Sequence, residues 1–192
     1  MKQDIILAGV GGQGILSIAF VIDNAALKGG LKIKQAEVHG MAQRGGAVQS
    51  HMRISSDRVY SDLIPKGRAD MILSVEPLET LRYLDYLATD GRIVTSSTPM
   101  VNIPNYPDLE EILSNLQAIS GSVLVDSGPL AKEAGSGRAQ NMVMLGAASN
   151  FLMIGPDDLR EFIQVLFKPR GQHLIDINLK AFELGRQAAN ST

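Results

Sequence analysis

The chain has no cysteine among its 192 residues and only three histidines, His39, His51 and His173. The missing thiols exclude disulfides, a cysteine nucleophile and a cysteine-ligated iron–sulfur cluster within this chain. The histidines show no metal-ligand spacing, so no metal site is expected. Any redox chemistry must then run through groups bound elsewhere. Long apolar runs are also missing: none approaches the roughly 20 residues that span a bilayer. The start "MKQDIILAG" lacks a signal peptide's charged-then-apolar layout, and a cytoplasmic location is expected. A net charge of −2 gives no electrostatic reason to expect nucleic acid or an anionic membrane as partner.

What is present is ordinary for a globular protein, 45% hydrophobic and 20% charged. The length suits a single domain over residues 1–192 with a substantial core. Asp4 to Ala8 reads as a buried strand. Ile15, Ile18, Ala19, Ile22, Ala25 and Ala26 then mark one face of a helix, stopped by Gly29 and Gly30. Leu31 to Val38 reads as the next strand, completing a βαβ unit with a parallel sheet.

Further along, "AVQSHMRI" and "RVYSDLI" alternate around the turn "SSDR" and predict a β-hairpin. "ADMILSV" is another buried strand, and "EPLETLRYLDYL" a helix with Pro77 in its first turn. Asp90-Gly91 is expected to turn the chain into the strand "RIVTS". The loop Thr98 to Asp108 carries three prolines, and Asp108 is placed to cap the helix that follows. "SVLVD" is the last strand. From Ser127 the pattern is helical, through "GPLAKEAG", "NMVMLGAASNFLM", "PDDLREFIQVLF" and a tail around Leu174 to Phe182. The expected fold is α/β: Rossmann-like, with a mostly parallel sheet, helices on both faces, a β-hairpin after strand 2 and a helical C-terminal third.

Chemistry concentrates in two glycine loops. "GVGGQG", Gly9 to Gly14, follows a strand and opens a helix, the setting in which G-x-G-x-x-G cradles a phosphate at a helix N-terminus. Gly12 and Gln13 sit inside the turn; Gln13 either orients a ligand or stabilises its own loop. Equally, the glycines can do no more than permit a sharp turn. Glu37 stands where an acidic ribose ligand of a dinucleotide enzyme would be. The second loop, "EVHGMAQRGG", brings His39, Arg44, Gly45 and Gly46 together after strand 2. Arginine's planar fork and paired glycines suit an anion, and the loop is expected to leave the same sheet edge as the first.

"GVGGQGILSIA" and "AEVHGMAQRGGAVQSHMRI" together resemble the gamma-type subunit of the 2-oxoacid:ferredoxin oxidoreductases. The similarity continues through "SDLIPKGRADMILSVEPLETLRYL", "NMVMLGAASNFL" and "NLKAFELG", nearly the whole chain. "EVHGMAQRGG" is closest to the small-subunit branch of the indolepyruvate enzymes. The resemblance implies one gamma-type domain in a complex that oxidatively decarboxylates an aryl 2-oxoacid, here indole-3-pyruvate, to an acyl-CoA, carbon dioxide and reduced ferredoxin. It places thiamine diphosphate and 4Fe-4S clusters on a larger partner subunit and none on this chain. Coenzyme A is then a candidate ligand at the interface, where phosphates suit helix N-termini and arginine. Ferredoxin would be reached through the complex.

Two other readings stay open: a free-standing NAD(P) or flavin oxidoreductase using Glu37, and a scaffold that binds no small molecule. The long "HGMAQRGG" segment, where a ribose-binding turn would suffice, argues against the first. Among single residues, His51 is expected to be structural, and Arg53 and Arg58 solvated. Glu76 is a helix-start carboxylate. Asn141, after "GSGRAQ", caps a helix by default, but with Arg138 it is a further site candidate. Met142, Met144 and Met153 are expected in the core.

Overall fold

The computed structural model describes residues 1–39 and 45–190, with His39 described as backbone only. Its strands form one six-stranded sheet in the order β2-β3-β1-β4-β5-β6. β1 (Lys2–Val10) is buried from Gln3 onward, because it is flanked on both sides: by β3 (Ala47–Ser55) antiparallel and by β4 (Ala69–Ser74) parallel. β5 (Leu87–Ser96) and β6 (Ser122–Val125) extend the parallel half. The parallel character and the helices on both faces match the sequence reading.

α1 (Ile15–Lys28) buries the six apolar positions named above, together with Val21. It leads to β2 (Lys32–His39), which runs in the same direction as β1 but does not touch it, because β3 lies between them. Consecutive in the chain and paired antiparallel, β2 and β3 are therefore the hairpin strands. The hairpin expected around "SSDR" is absent, since Arg58 to Ile64 forms no strand. Both edges of β3 are already occupied, by β1 and β2, so no ladder remains for a further strand. Side chains satisfy the segment's backbone instead. Arg53 donates to the carbonyls of Ser61 and Leu63, both at 3.1 Å, and the Ile64 amide donates to His51 Nδ1 at 3.0 Å.

Asp90-Gly91 does not turn either. It lies inside β5, where the register against β4 shifts between Ala69 and Met71. A β-carbon at Gly91 would stand 2.8 Å from the Ala69 carbonyl oxygen, so only glycine lets the irregular strand lie flat. α2 (Pro77–Arg82) is shorter than expected and passes through a 3-10 turn, Leu84–Tyr86, into β5.

α3 (Leu109–Gln117) is capped by Asp108, whose side chain accepts from the Glu111 amide at 3.0 Å, as the sequence predicts. The C-terminal third is α4 (Ser127–Ala134), α5 (Gln140–Ala148), α6 (Pro156–Phe167) and α7 (Gln172–Asn190). α5 ends before "NFLM". Its residues from Asn141 onward are all buried, because it is enclosed between the sheet and α7. Met142 and Met144 are core residues, and Met153 packs against that core. α1 and α4 to α7 cover one sheet face with the main core; smaller clusters under α2 and α3 fill the other. Among the described residues, no helix is long and apolar enough to cross a membrane.

Candidate functional site

The glycine turn leaves the carboxyl end of β1 and enters α1 through Gly14, which holds a left-handed φ of 81°. Gln13 fixes the turn from within. Its Oε1 accepts from the Val10 amide at 2.8 Å, and its Nε2 donates to the Val75 carbonyl at 3.2 Å, tying β1 to β4. Of the two roles open to Gln13, its contacts are those of loop stabilisation.

The glycines have different local reasons. A β-carbon on Gly9 would stand 2.8 Å from Ile15 Cδ1, and one on Gly14 would overlap the Asn141 amide. Gly12 is different: its φ of 102° requires glycine, yet nothing lies within 4 Å of where a β-carbon would sit. It is the open point of the turn.

The second glycine loop arrives at the same edge. Gly11 donates to the Gly46 carbonyl at 2.8 Å, and Gly45 donates back to the Gly11 carbonyl at 3.3 Å. The two loops are thus joined backbone to backbone, and the Gly11 N–H already has an acceptor within the protein. Asn102, from the loop before α3, donates to the Gly45 carbonyl at 2.6 Å. Arg44 and the His39 side chain lie outside the described residues.

Asn141 reaches the turn from α5. Its Nδ2 donates to the Gly14 carbonyl at 3.3 Å, while its Oδ1 accepts from the Met142 amide at 3.0 Å. It is a residue of α5 rather than its N-cap, so the capping role expected of it is replaced by a bridge to the glycine turn.

Three clefts share Gly12. The first, of about 300 Å³, lies between the start of α1, the turn before α5 and the start of α7; Ser17, Arg138, Asn141, Arg170 and Asn178 line it. The second, of about 410 Å³, is lined by Val75, Met100, Arg138 and Gln140. Leu16, Glu37 and Val48 line the third, of about 340 Å³. Arg138 therefore stands between two clefts, and among the described residues it has no ion-pair partner. The first backbone N–H groups of α1 have no acceptor within the helix and carry its positive end. Two guanidinium groups beside that helix start make the first cleft suited to an anion. Arg170 was not singled out from sequence; the signal was the basic run "KPRGQH" that separates two helices.

The remaining candidates are structural. His51 is buried, which lowers its affinity for a proton. Because Nδ1 accepts from the Ile64 amide, the neutral ring carries its proton on Nε2, 2.8 Å from the terminal amide of Gln49, which accepts that proton when turned to present its oxygen. Arg53 is not solvated as expected: it grips the buried Asp4 with Nε at 3.0 Å and Nη2 at 3.1 Å. Arg58 lies over the Tyr60 ring. Glu76 caps α2 by accepting from the Glu79 amide at 2.9 Å, as expected, and it binds Tyr106 as well. No group of three or more His, Cys, Asp or Glu that could hold a metal ion occurs among the described residues.

Residues 4–188 match the family model described as pyruvate ferredoxin/flavodoxin oxidoreductase. Indolepyruvate oxidoreductase subunit IorB of Pyrococcus horikoshii is 40% identical over 200 aligned positions, 98% of this chain and 97% of that one. Two solved structures share the fold. The 2-oxoglutarate:ferredoxin oxidoreductase of Magnetococcus marinus, determined with 2-oxoglutarate, coenzyme A and succinyl-CoA bound, aligns with a TM-score of 0.80 and 25% identity; it covers all of this chain and 31% of that one. The keto/oxoacid ferredoxin oxidoreductase gamma subunit of Geobacter sulfurreducens aligns with a TM-score of 0.73 and 21% identity over 99% of both chains. Whole-length identity and matched fold together establish that this chain belongs to the pyruvate ferredoxin/flavodoxin oxidoreductase family, as a subunit of a 2-oxoacid:ferredoxin oxidoreductase.

Proposed function

We propose that the chain is the small subunit of an indolepyruvate-type oxidoreductase and that it holds coenzyme A beside a larger subunit. That subunit carries thiamine diphosphate and the 4Fe-4S clusters, and the complex works in the cytoplasm. The reaction converts an aryl 2-oxoacid, coenzyme A and two oxidised ferredoxins to the acyl-CoA, carbon dioxide, a proton and two reduced ferredoxins. Thiamine diphosphate supplies carbanion stabilisation, and the clusters carry the two electrons. This chain, without cysteine, has no ligand set for such clusters.

The observation that carries the reading is the convergence on Gly12 of the α1 start, Arg138 and Arg170. Phosphates bind helix starts and arginine forks through charge-assisted hydrogen bonds, and Gly12 lets a ligand approach the backbone. Asn141 sets the turn's shape, and Gly45-Gly46 closes its far side. Arg44 and His39 are proposed to face the larger subunit from the hairpin turn.

Strand order argues against a nicotinamide site. In a dinucleotide fold the acidic residue's strand lies directly beside the first strand. Here β3 intervenes, which sets Glu37 one strand, about 4.8 Å, farther out.

Co-expression with the larger subunit tests the proposal. Indole-3-pyruvate oxidation that requires both chains and coenzyme A is the expected result. The purified small chain alone should be colourless and turn over no 2-oxoacid. Turnover by that chain alone, or micromolar binding of NAD abolished by Glu37→Arg, would overturn it.

A further inference from the structure

Between β5 and α3, residues 97–108 form a connection without helix or strand, far longer than the usual two to six residues of such links. Its first residues are tied to the end of β6 and the start of α4, where Thr98 binds Asp126 and Gly128, and beyond them the segment has two further anchors. At one, Tyr106 donates to Glu76 Oε1 at 2.5 Å, and the Met100 amide reaches the same oxygen at 3.4 Å. Glu76 is 1% exposed, and its other oxygen caps α2 through the Glu79 amide. A buried carboxylate with this many donors is a fixed post. At the other anchor Asn102 holds the Gly45 carbonyl, and Gly45 is itself bonded to Gly11.

Pro99, Pro104 and Pro107 restrict the unbound chain and so reduce the entropy lost on ordering the segment. Asn102 is exposed and its amide contact joins residues 57 positions apart, so neither helix nor sheet formation requires it.

We infer that residues 97–108 are a strap that positions Gly45-Gly46 on the glycine turn, with Glu76 as its post and Asn102 and Tyr106 as positioning residues. Pro99 and Met100 place the strap on the wall of the second cleft, which Gly12 and Arg138 also line. The strap thereby sets the width of the opening at Gly12. A loosened strap would leave 2-oxoacid chemistry on the larger subunit untouched and weaken whatever binds across the glycine turns. In that consequence the inference rests on the coenzyme A reading; the geometric claim does not.

The experiment uses the full chain assembled with its larger subunit, carrying Asn102→Ala, Asn102→Asp, Tyr106→Phe or the Asn102→Ala/Tyr106→Phe pair. Amide hydrogen exchange is read at Gly11 and Gly45, and Michaelis constants are read for coenzyme A and for indole-3-pyruvate separately. Each single variant should speed exchange at both glycines while the β1 and β4 interior is unchanged. The coenzyme A constant should rise about fivefold, the equivalent of one hydrogen bond, with the 2-oxoacid constant unchanged. Asn102→Asp, which keeps the shape but removes the donor, should act at least as strongly as Asn102→Ala. The pair should do no more than the stronger single change, because both anchors hold one segment. Unchanged exchange at Gly11 and Gly45 in Tyr106→Phe overturns the strap, as does full additivity. Faster exchange with an unchanged coenzyme A constant supports the strap and overturns the coenzyme A reading instead.

Discussion

At the scale of residues, the half-buried Asp23 and the buried His51 pull in opposite directions with pH. Burial raises the Asp23 carboxyl to about 6, and its Oδ1 has no hydrogen-bond partner among the described residues. The folded state therefore binds this proton more tightly than the unfolded chain. Its contribution is fully favourable below the ordinary value of 3.8 and is lost as pH rises through about 6. Asp23→Asn should accordingly stabilise the protein at pH 7.5, with the advantage over the parent disappearing near pH 4; paired denaturant titrations at both pH values check this. His51 has the opposite sign. Its affinity for a proton is lowered by burial and by Arg53, against an opposing pull from Asp62, so its contribution is present above about 6.5 and fades as pH falls. Arg53 itself neutralises the fully buried Asp4. Arg53→Met should lower stability by about 3 kcal/mol, the lower end for a broken buried pair, because Lys2 remains beside Asp4.

At the scale of elements, the packing of α5 on α7 is the tightest constraint. A β-carbon on Gly146 would overlap the Phe182 carbonyl, and one on Gly185 the Val143 carbonyl, so each glycine admits the other helix's backbone. Gly146→Ala is expected to lower unfolding free energy by about 3 kcal/mol, since no rotamer change can relieve a clash with backbone. Thermal denaturation reads this directly.

This is also the scale at which sequence legibility divides. α1, the Asp108 cap and the buried strands were legible because periodicity and capping are local signals. The strand Ala47–Ser55 was legible too, but its partners were not. Whether it pairs forward with Arg58 to Ile64 or backward with β2 and β1 is decided by which edges are occupied and by Arg53 and His51 capping the later segment. None of that is local. The glycine turn was recognisable from spacing, and Asn141 from the segment before it. Arg170 and the Glu76–Tyr106–Asn102 strap were not: Arg170 comes to the Gly12 cleft only through helix packing, and the strap's contacts join residues far apart in the chain.

At the scale of the whole molecule, the sheet's carboxyl edge gathers every feature that points to a ligand. The Gly9–Gly14 turn, Gly45-Gly46, the strap and the turn before α5 meet there, and the three clefts open around Gly12. That edge is where open α/β sheets bind ligands. The central claim is that this subunit supplies the phosphate-binding part of the coenzyme A site. The most direct test is calorimetric titration of coenzyme A into the assembled complex, comparing the parent with Arg138→Ala, Arg170→Ala and both together. Each charge-assisted contact removed should weaken binding roughly tenfold to hundredfold, without loss of the larger subunit. Undiminished coenzyme A affinity in the double variant would contradict the account.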